Sequence, residues 1–365
     1  MHAIAGRMCP LRRAALSANQ IMDSPIYAFL LVILGGILQG SFILPMKLTP
    51  EWKWENTWLV YSIAGLVIAP WVFAVLTVPQ PLEALAQSDT RSLLAATIFG
   101  AGWGIGSVLF GLGVARVGAS LAFAIILGMT SAIGALAPML ILHPEDLSSP
   151  QGRMVLLGMV IVLAGITLTA QAGRFKEAAL KSDAGSTALG QAFLPGLIIC
   201  LFSGLTSPML NFALTFGAGI AKHAEELGAT AASANNAIWA PAVTAGAIVN
   251  ILYCLWLLAR NRTAGLFAKG GWHYWPFAIA MGAMWMGGIV SYGMGAARMG
   301  RLGASLGWPL FMSTIIVTAN FWGWVTKEWH GAGSKAVKWM VASLVVLFVA
   351  ISIFGYSSTL QQAGP

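Results

Sequence analysis

The sequence predicts an all-α integral membrane protein of ten transmembrane helices, arranged as two inverted five-helix repeats. Three observations predict it. Hydrophobic residues make up 58% of the chain and charged residues only 9%, against about 25% charged in soluble domains. Ten separate runs are long and apolar enough to cross a bilayer, which takes about 20 residues at roughly 1.5 Å each. One stretch occurs twice: Trp103 to Gly118 (WGIGSVLFGLGVARVG) lies over Trp285 to Gly300 (WMGGIVSYGMGAARMG) at a constant offset of 182. Trp, Gly, Val, two further Gly, Ala, Arg and a final Gly coincide. After a slip of three residues, Gly118-Ala119-Ser120-Leu121 matches Gly303-Ala304-Ser305-Leu306.

The expected spans, in order, are 26–46, 58–78, 93–115, 119–142, 154–172, 192–216, 236–258, 274–297, 302–325 and 337–356. Residues 1–23 carry Arg7, Arg12 and Arg13 but no apolar signal-peptide core follows them. They read as a disordered or mis-assigned extension, with Met22 as an alternative start. The first repeat is then 24–172, a polar linker fills 173–191, the second repeat is 192–358, and 359–365 is a tail. The match pairs spans three and four with eight and nine. A unit of five spans is odd, so the second copy enters the membrane from the opposite side. Inverted repeats with a central site between the halves are a common basis for alternating access.

The net charge of +8 sits in short connectors, so it reads as membrane orientation and not as a nucleic-acid surface. Leaving out the extension, five bases fall on the side of the termini and twelve on the other. The positive-inside rule therefore leans toward both termini outside. Cys9, Cys200 and Cys254 show neither a disulfide framework nor metal spacing. No G-x-S-x-G elbow or P-loop occurs, and His223-Ala224-Glu225-Glu226 lacks zinc-helix spacing. An enzyme is not expected, and no cofactor or metal is. Gly104-Ile105-Gly106 resembles part of a dinucleotide fingerprint, but no strand precedes it. Gly100/Gly104, Gly102/Gly106 and Gly111/Ala115 read instead as small-xxx-small contacts between helices.

All twelve acids fall in connectors or at span ends. A proton carrier must then be an end residue reaching inward, and Glu55 and Glu328 are the candidates. Interfacial salt bridges with Lys53 and Lys327 are the plainer alternative. His143, which titrates near neutral pH in water, ends the fourth span beside Pro144 and reads as a helix-end residue. Uncharged polar residues inside spans are costly against lipid and should face the bundle. Gln39, Ser41, Ser107, Asn211, Asn250, Ser291, Tyr292, Ser313 and Asn320 form this set. With the rings of Trp103, Trp285 and Trp308, they suit a neutral hydroxylated solute. The substrate-binding candidates are Gln39, Trp103, Ser107, Asn211, Trp285, Tyr292 and Asn320; interhelical hydrogen bonding is the alternative for each. Pro45, Pro70, Pro138, Pro208, Pro241 and Pro309 would loosen helices near gates.

Several segments together resemble the L-rhamnose–proton symporter family of the drug/metabolite transporter superfamily. They are Trp52-Lys53-Trp54-Glu55-Asn56-Thr57-Trp58, Gly100-Ala101-Gly102-Trp103-Gly104-Ile105-Gly106, Gly152-Arg153-Met154-Val155-Leu156-Leu157-Gly158, Ala172-Gly173-Arg174-Phe175-Lys176-Glu177 and Lys327-Glu328-Trp329-His330-Gly331-Ala332-Gly333. The resemblance covers everything after the extension. It implies ten helices in an inner membrane, with a sugar and a proton as partners. The chain departs from the family at Met286-Gly287-Gly288-Ile289-Val290-Ser291 and Arg301-Leu302-Gly303-Ala304-Ser305-Leu306, where the family is richer in aromatic and polar residues. A sugar other than rhamnose, or loss of proton coupling, stays open on that ground. So does an exporter or facilitator of another small metabolite. A membrane-embedded enzyme or a sensor is the alternative outside transport.

Overall fold

The computed structural model describes residues 24–117, 119–181, 193–269 and 271–360. The expected extension 1–23 and most of the tail lie outside these residues, as do 182–191 of the expected linker and residue 192. Among the described residues, ten helical spans are long and apolar enough to cross a membrane. They are α1 (Pro25–Leu48), α2 (Trp54–Thr77), α3 (Thr90–Val117), α4 (Ala122–Leu142), α5 (Pro150–Ala179), α6 (Leu194–Glu226), α7 (Ala231–Asn261), α8 (Tyr274–Arg298), α9 (Gly300–Val325) and α10 (Gly333–Leu360).

Local chemistry sets several ends. The Ser24 hydroxyl accepts the Tyr27 amide at 3.2 Å, and Pro25 follows in the first turn where its missing N–H costs nothing. Thr230 caps α7 the same way, and Arg262 closes it in the left-handed region at φ 56°. Helix five runs on to Lys181, past the expected end at 172. Its polar extension is held by Phe175 against the Trp339 ring, 6.0 Å between centroids, and by Lys176 over Trp329 at 4.9 Å.

Two spans are irregular. In α2 a π-helical segment covers Ser62–Ile68, directly before Pro70. A proline ring clashes with the carbonyl four residues back, and a widened turn relieves that clash. In α6 the helix breaks after Thr206 and again at Gly217, giving Phe193–Thr206, Met209–Phe216 and Ala218–Glu226.

Helix neighbours exchange between the halves. α1 packs on α8 and α9, while α6 packs on α3 and α4. α2 packs on α8, and α7 on α3; α4 lies on α5, and α9 on α10. α5 lies along α10, and α4 on α9. Swapping one half for the other leaves this list unchanged. α9 is the most enclosed span, with 78% of its most apolar window buried, against 28% in α1, α3 and α10.

Glycine lets particular pairs touch. A Cβ on Gly104 would lie 2.6 Å from Gly246 Cα, and one on Gly282 would lie 2.7 Å from Gly65 Cα. Gly100 meets Ala242 and Gly106 meets Thr206 and Ser207, so these glycines are packing positions. Gly111 differs, because nothing lies within 4 Å of a Cβ there.

Candidate functional site

Antiparallel alternation places the start of α1 on one side of the bundle, here the terminal side, and its end on the other, the distal side. Two polar–aromatic groups lie at the middle of the bundle, and α8 carries both. Trp285 anchors the first and Tyr292 the second, seven residues or roughly 10 Å further along the helix.

Around Trp285 five helices meet. Its ring lies 5.0 Å from that of Trp103 on α3 and 6.5 Å, edge-on, from that of Tyr61 on α2. Oriented to satisfy both its ends, the Gln39 amide on α1 donates to the Trp285 carbonyl at 3.1 Å and accepts its indole N–H. Trp58, one turn before Tyr61, packs on it at 4.8 Å, and Phe42 closes the corner at 5.6 Å from Tyr61. Asn250 on α7 is 1% exposed. Its Oδ1 accepts Trp58 Nε1 at 3.1 Å and Ser107 Oγ at 2.9 Å, while its Nδ2 donates to the Gly246 carbonyl at 3.1 Å. Gln39, Phe42, Trp58, Trp103 and Ser107 are half-buried. The group is uncharged and combines flat apolar faces with amide and hydroxyl edges.

The second group is sealed. The Tyr292 hydroxyl donates to Asn211 Oδ1, and the Asn211 amide donates to the Gly134 carbonyl at 2.8 Å. Tyr292 stacks on Phe311 at 4.9 Å and meets Trp308 edge-on at 5.6 Å. Trp308 Nε1 donates to the Thr130 carbonyl at 2.9 Å. Asn211, Tyr292 and Trp308 are buried, and α4, α6, α8 and α9 are thereby tied together toward the terminal side. Asn320 joins neither group; its amide donates to the Ile316 carbonyl of its own helix at 2.9 Å.

The two acids sit differently. Glu55 is 5% exposed and is the one buried carboxylate among the described residues. Its Oε1 accepts Asn261 Nδ2 at 3.0 Å and Thr263 Oγ1 at 2.8 Å. It lies one turn from Trp58 on the same helix. Glu328 is half-exposed, and it pairs with Lys47 and, at 4.0 Å, with Lys176. The hydrogen bond from the Lys47 ammonium holds the Glu328 carboxyl below the usual carboxylate range, against a smaller opposing effect of burial. The partners are thus not the neighbouring Lys53 and Lys327 that sequence proximity suggested.

On the terminal side, Arg301 bonds Glu145 at 2.7 Å and Asp146 at 2.8 Å. His143 Nδ1 lies 3.9 Å from Glu145, at the helix end where the sequence placed it. His223 pairs with Glu226 at 2.9 Å on an exposed face.

Tyr61 and Phe42 belong to the first group although no sequence pattern selects them, and Trp58 stands out only as the last residue of the segment 52–58. Asn250 was visible only as one polar residue among nine. The repeat is the signal that singles out Trp103 and Trp285, which lie at equivalent positions and face each other.

The family model described as L-rhamnose-proton symport protein (RhaT) matches residues 21–359. An L-rhamnose-proton symporter of Escherichia coli O1:K1 / APEC is 28% identical over 331 residues, covering 88% of this chain and 95% of its own. The protein of the same name from Shigella boydii serotype 18 matches at the same identity and coverage. With nearly every described residue inside the matched range, this chain belongs to the L-rhamnose-proton symport protein family.

Proposed function

We propose that the chain is a secondary transporter of the inner membrane that takes up a small neutral sugar, L-rhamnose or a related deoxyhexose, together with a proton. The observation that carries the substrate class is the uncharged group around Trp285. A 6-deoxy sugar has an apolar face and a methyl group to lay on the Trp103 and Trp285 rings. Its hydroxyls find partners in Gln39, Ser107 and Asn250. A charged solute would find no counter-charge there. The exchange of helix neighbours between halves supports reading the fold as an inverted repeat with its site on the pseudo-symmetry axis.

In this reading the buried Asn211–Tyr292 group is the seal on the terminal side, and the sugar enters from the distal side past Trp58. Glu55 is the proton carrier in this reading. It is buried, it lies one turn from Trp58, and its partners Asn261 and Thr263 come from the other half of the chain, so protonation would loosen a contact between halves. Glu328, exposed and held charged by Lys47, serves as a latch.

The test is uptake of labelled L-rhamnose in cells lacking their own carrier, with and without a protonophore. Accumulation that collapses with the protonophore supports symport. Uptake that only equilibrates makes the chain a facilitator. No uptake in any condition removes rhamnose, and efflux without uptake makes it an exporter.

A further inference from the structure

The connector between α7 and α8 is chemically unlike its counterpart between α2 and α3. Residues 260–273 hold Arg260, Arg262 and Lys269 and no acid; residues 78–89 hold Glu83 and Asp89 and no base. The two connectors are equivalent in the two halves but lie on opposite sides of the bundle, and the basic one is on the distal side, with the larger share of the bases. Arg260, Arg262 and Lys269 are all exposed. Among the described residues no carboxylate pairs with any of the three.

The bases are set among rings that belong at a membrane surface. The Arg260 guanidinium lies 4.9 Å over Trp256, which is 50% exposed. Trp272 is 81% exposed. The short helix Leu266–Lys269 is pinned by Trp52, whose Nε1 donates to the Leu266 carbonyl at 3.1 Å and whose ring meets Phe267 at 5.3 Å. Tryptophan favours the headgroup level, and exposed bases there attract anionic lipid. Guanidinium groups bind phosphate oxygens in pairs. From this geometry we infer that the α7–α8 connector is a binding site for the headgroup of an anionic phospholipid in the distal leaflet.

The site has a bearing on the transporter whichever solute it carries. Asn261, which holds Glu55, lies between Arg260 and Arg262, and Thr263 follows directly. A phosphate held by Arg262, which lies between Asn261 and Thr263, would fix the turn that holds the buried carboxylate.

Native mass spectrometry of the full chain tests this, in detergent with added phosphatidylglycerol or phosphatidylcholine. The wild-type chain is expected to retain phosphatidylglycerol in preference. The R260Q/R262Q/K269Q variant is expected to lose that preference, while K335Q/K338Q, which removes bases from the same side at α10, keeps it. Should the triple variant not yield folded protein, Arg262→Gln alone, at an exposed turn, must weaken the preference. An undiminished preference in the triple variant overturns the inference. So does an equal loss in the α10 control, or displacement of the lipid by inorganic phosphate, which would make this a soluble-anion site. The readout needs no sugar, so its failure is distinct from failure of the rhamnose reading.

Discussion

Glu55 is held by Asn261, about three turns along α7 from Asn250, and the expected roles of Glu55 and Asn250 separate cleanly in transport kinetics. Glu55→Gln keeps an acceptor for Asn261 and Thr263 but cannot release a proton. It is expected to abolish uphill accumulation while sparing exchange of labelled for unlabelled sugar; unchanged accumulation would remove Glu55 from coupling. Asn250→Ala deletes the shared acceptor of Trp58 and Ser107. A lost buried hydrogen bond costs about 1–3 kcal/mol, so the half-saturating sugar concentration should rise roughly five- to hundredfold, with the accumulation ratio kept. An unchanged half-saturation would make Asn250 a packing residue only. At this scale the sequence was partly legible. It marked Glu55 by elimination, since no acid lies mid-span, and it marked Trp103 and Trp285 by repetition. It did not show that Glu55 meets Asn261 and Thr263, which lie 206 and 208 residues away. Nothing local in the chain encodes a contact between two distant helix ends.

Helices are where the sequence read most clearly, because length and apolarity alone decide whether a segment can span a bilayer. The ten expected spans match ten among the described residues, with ends displaced by up to about three turns where polar residues continue a helix, as at Arg174 and Lys176 in α5 and at Lys222 to Glu226 in α6. The breaks in α6 were less visible. Pro208 carries the same expectation of a loosened helix as Pro138, Pro241 and Pro309, yet those three stay inside continuous helices. A proline breaks or bends a helix according to what its neighbours can accept, which the chain does not announce. The glycines offer a direct test. Gly104→Leu would drive a side chain into the α7 backbone at Gly246, and a sharp fall in folded protein is expected by thermal unfolding in detergent. Gly111→Ala should be neutral or stabilising by up to ~1 kcal/mol, since alanine favours helix and nothing crowds the site. If both variants behaved alike, the α3–α7 contact would not be the reason for the glycines.

Taken as a whole, the molecule carries inter-half ion pairs on both sides: Arg301 with Glu145 and Asp146 on the terminal side, and Lys47 and Lys176 with Glu328 on the distal side. The sign of the Glu328 shift sets a pH window. Its carboxyl is held below the ordinary 4.5, so the stabilisation is fully present above that value and is lost only as pH falls through the lowered one. Between pH 5 and 8 the latch does not titrate. Glu328→Gln should therefore leave the pH profile of uptake unmoved, measured in vesicles over that range. A shifted profile in Glu328→Gln would transfer the coupling role to that residue.

The exchange of neighbours has a further meaning for how this chain folds. α1 finds its packing on α8 and α9, and α6 on α3 and α4, so neither half holds a finished interior. A chain severed in the connector between α5 and α6, within 182–192, would give two fragments with no independent thermal transition. Expressed together, they would recover one shared melting event. The protein is then a single cooperative body despite being written twice, and its two halves stand to each other as the subunits of an obligate dimer joined by a tether.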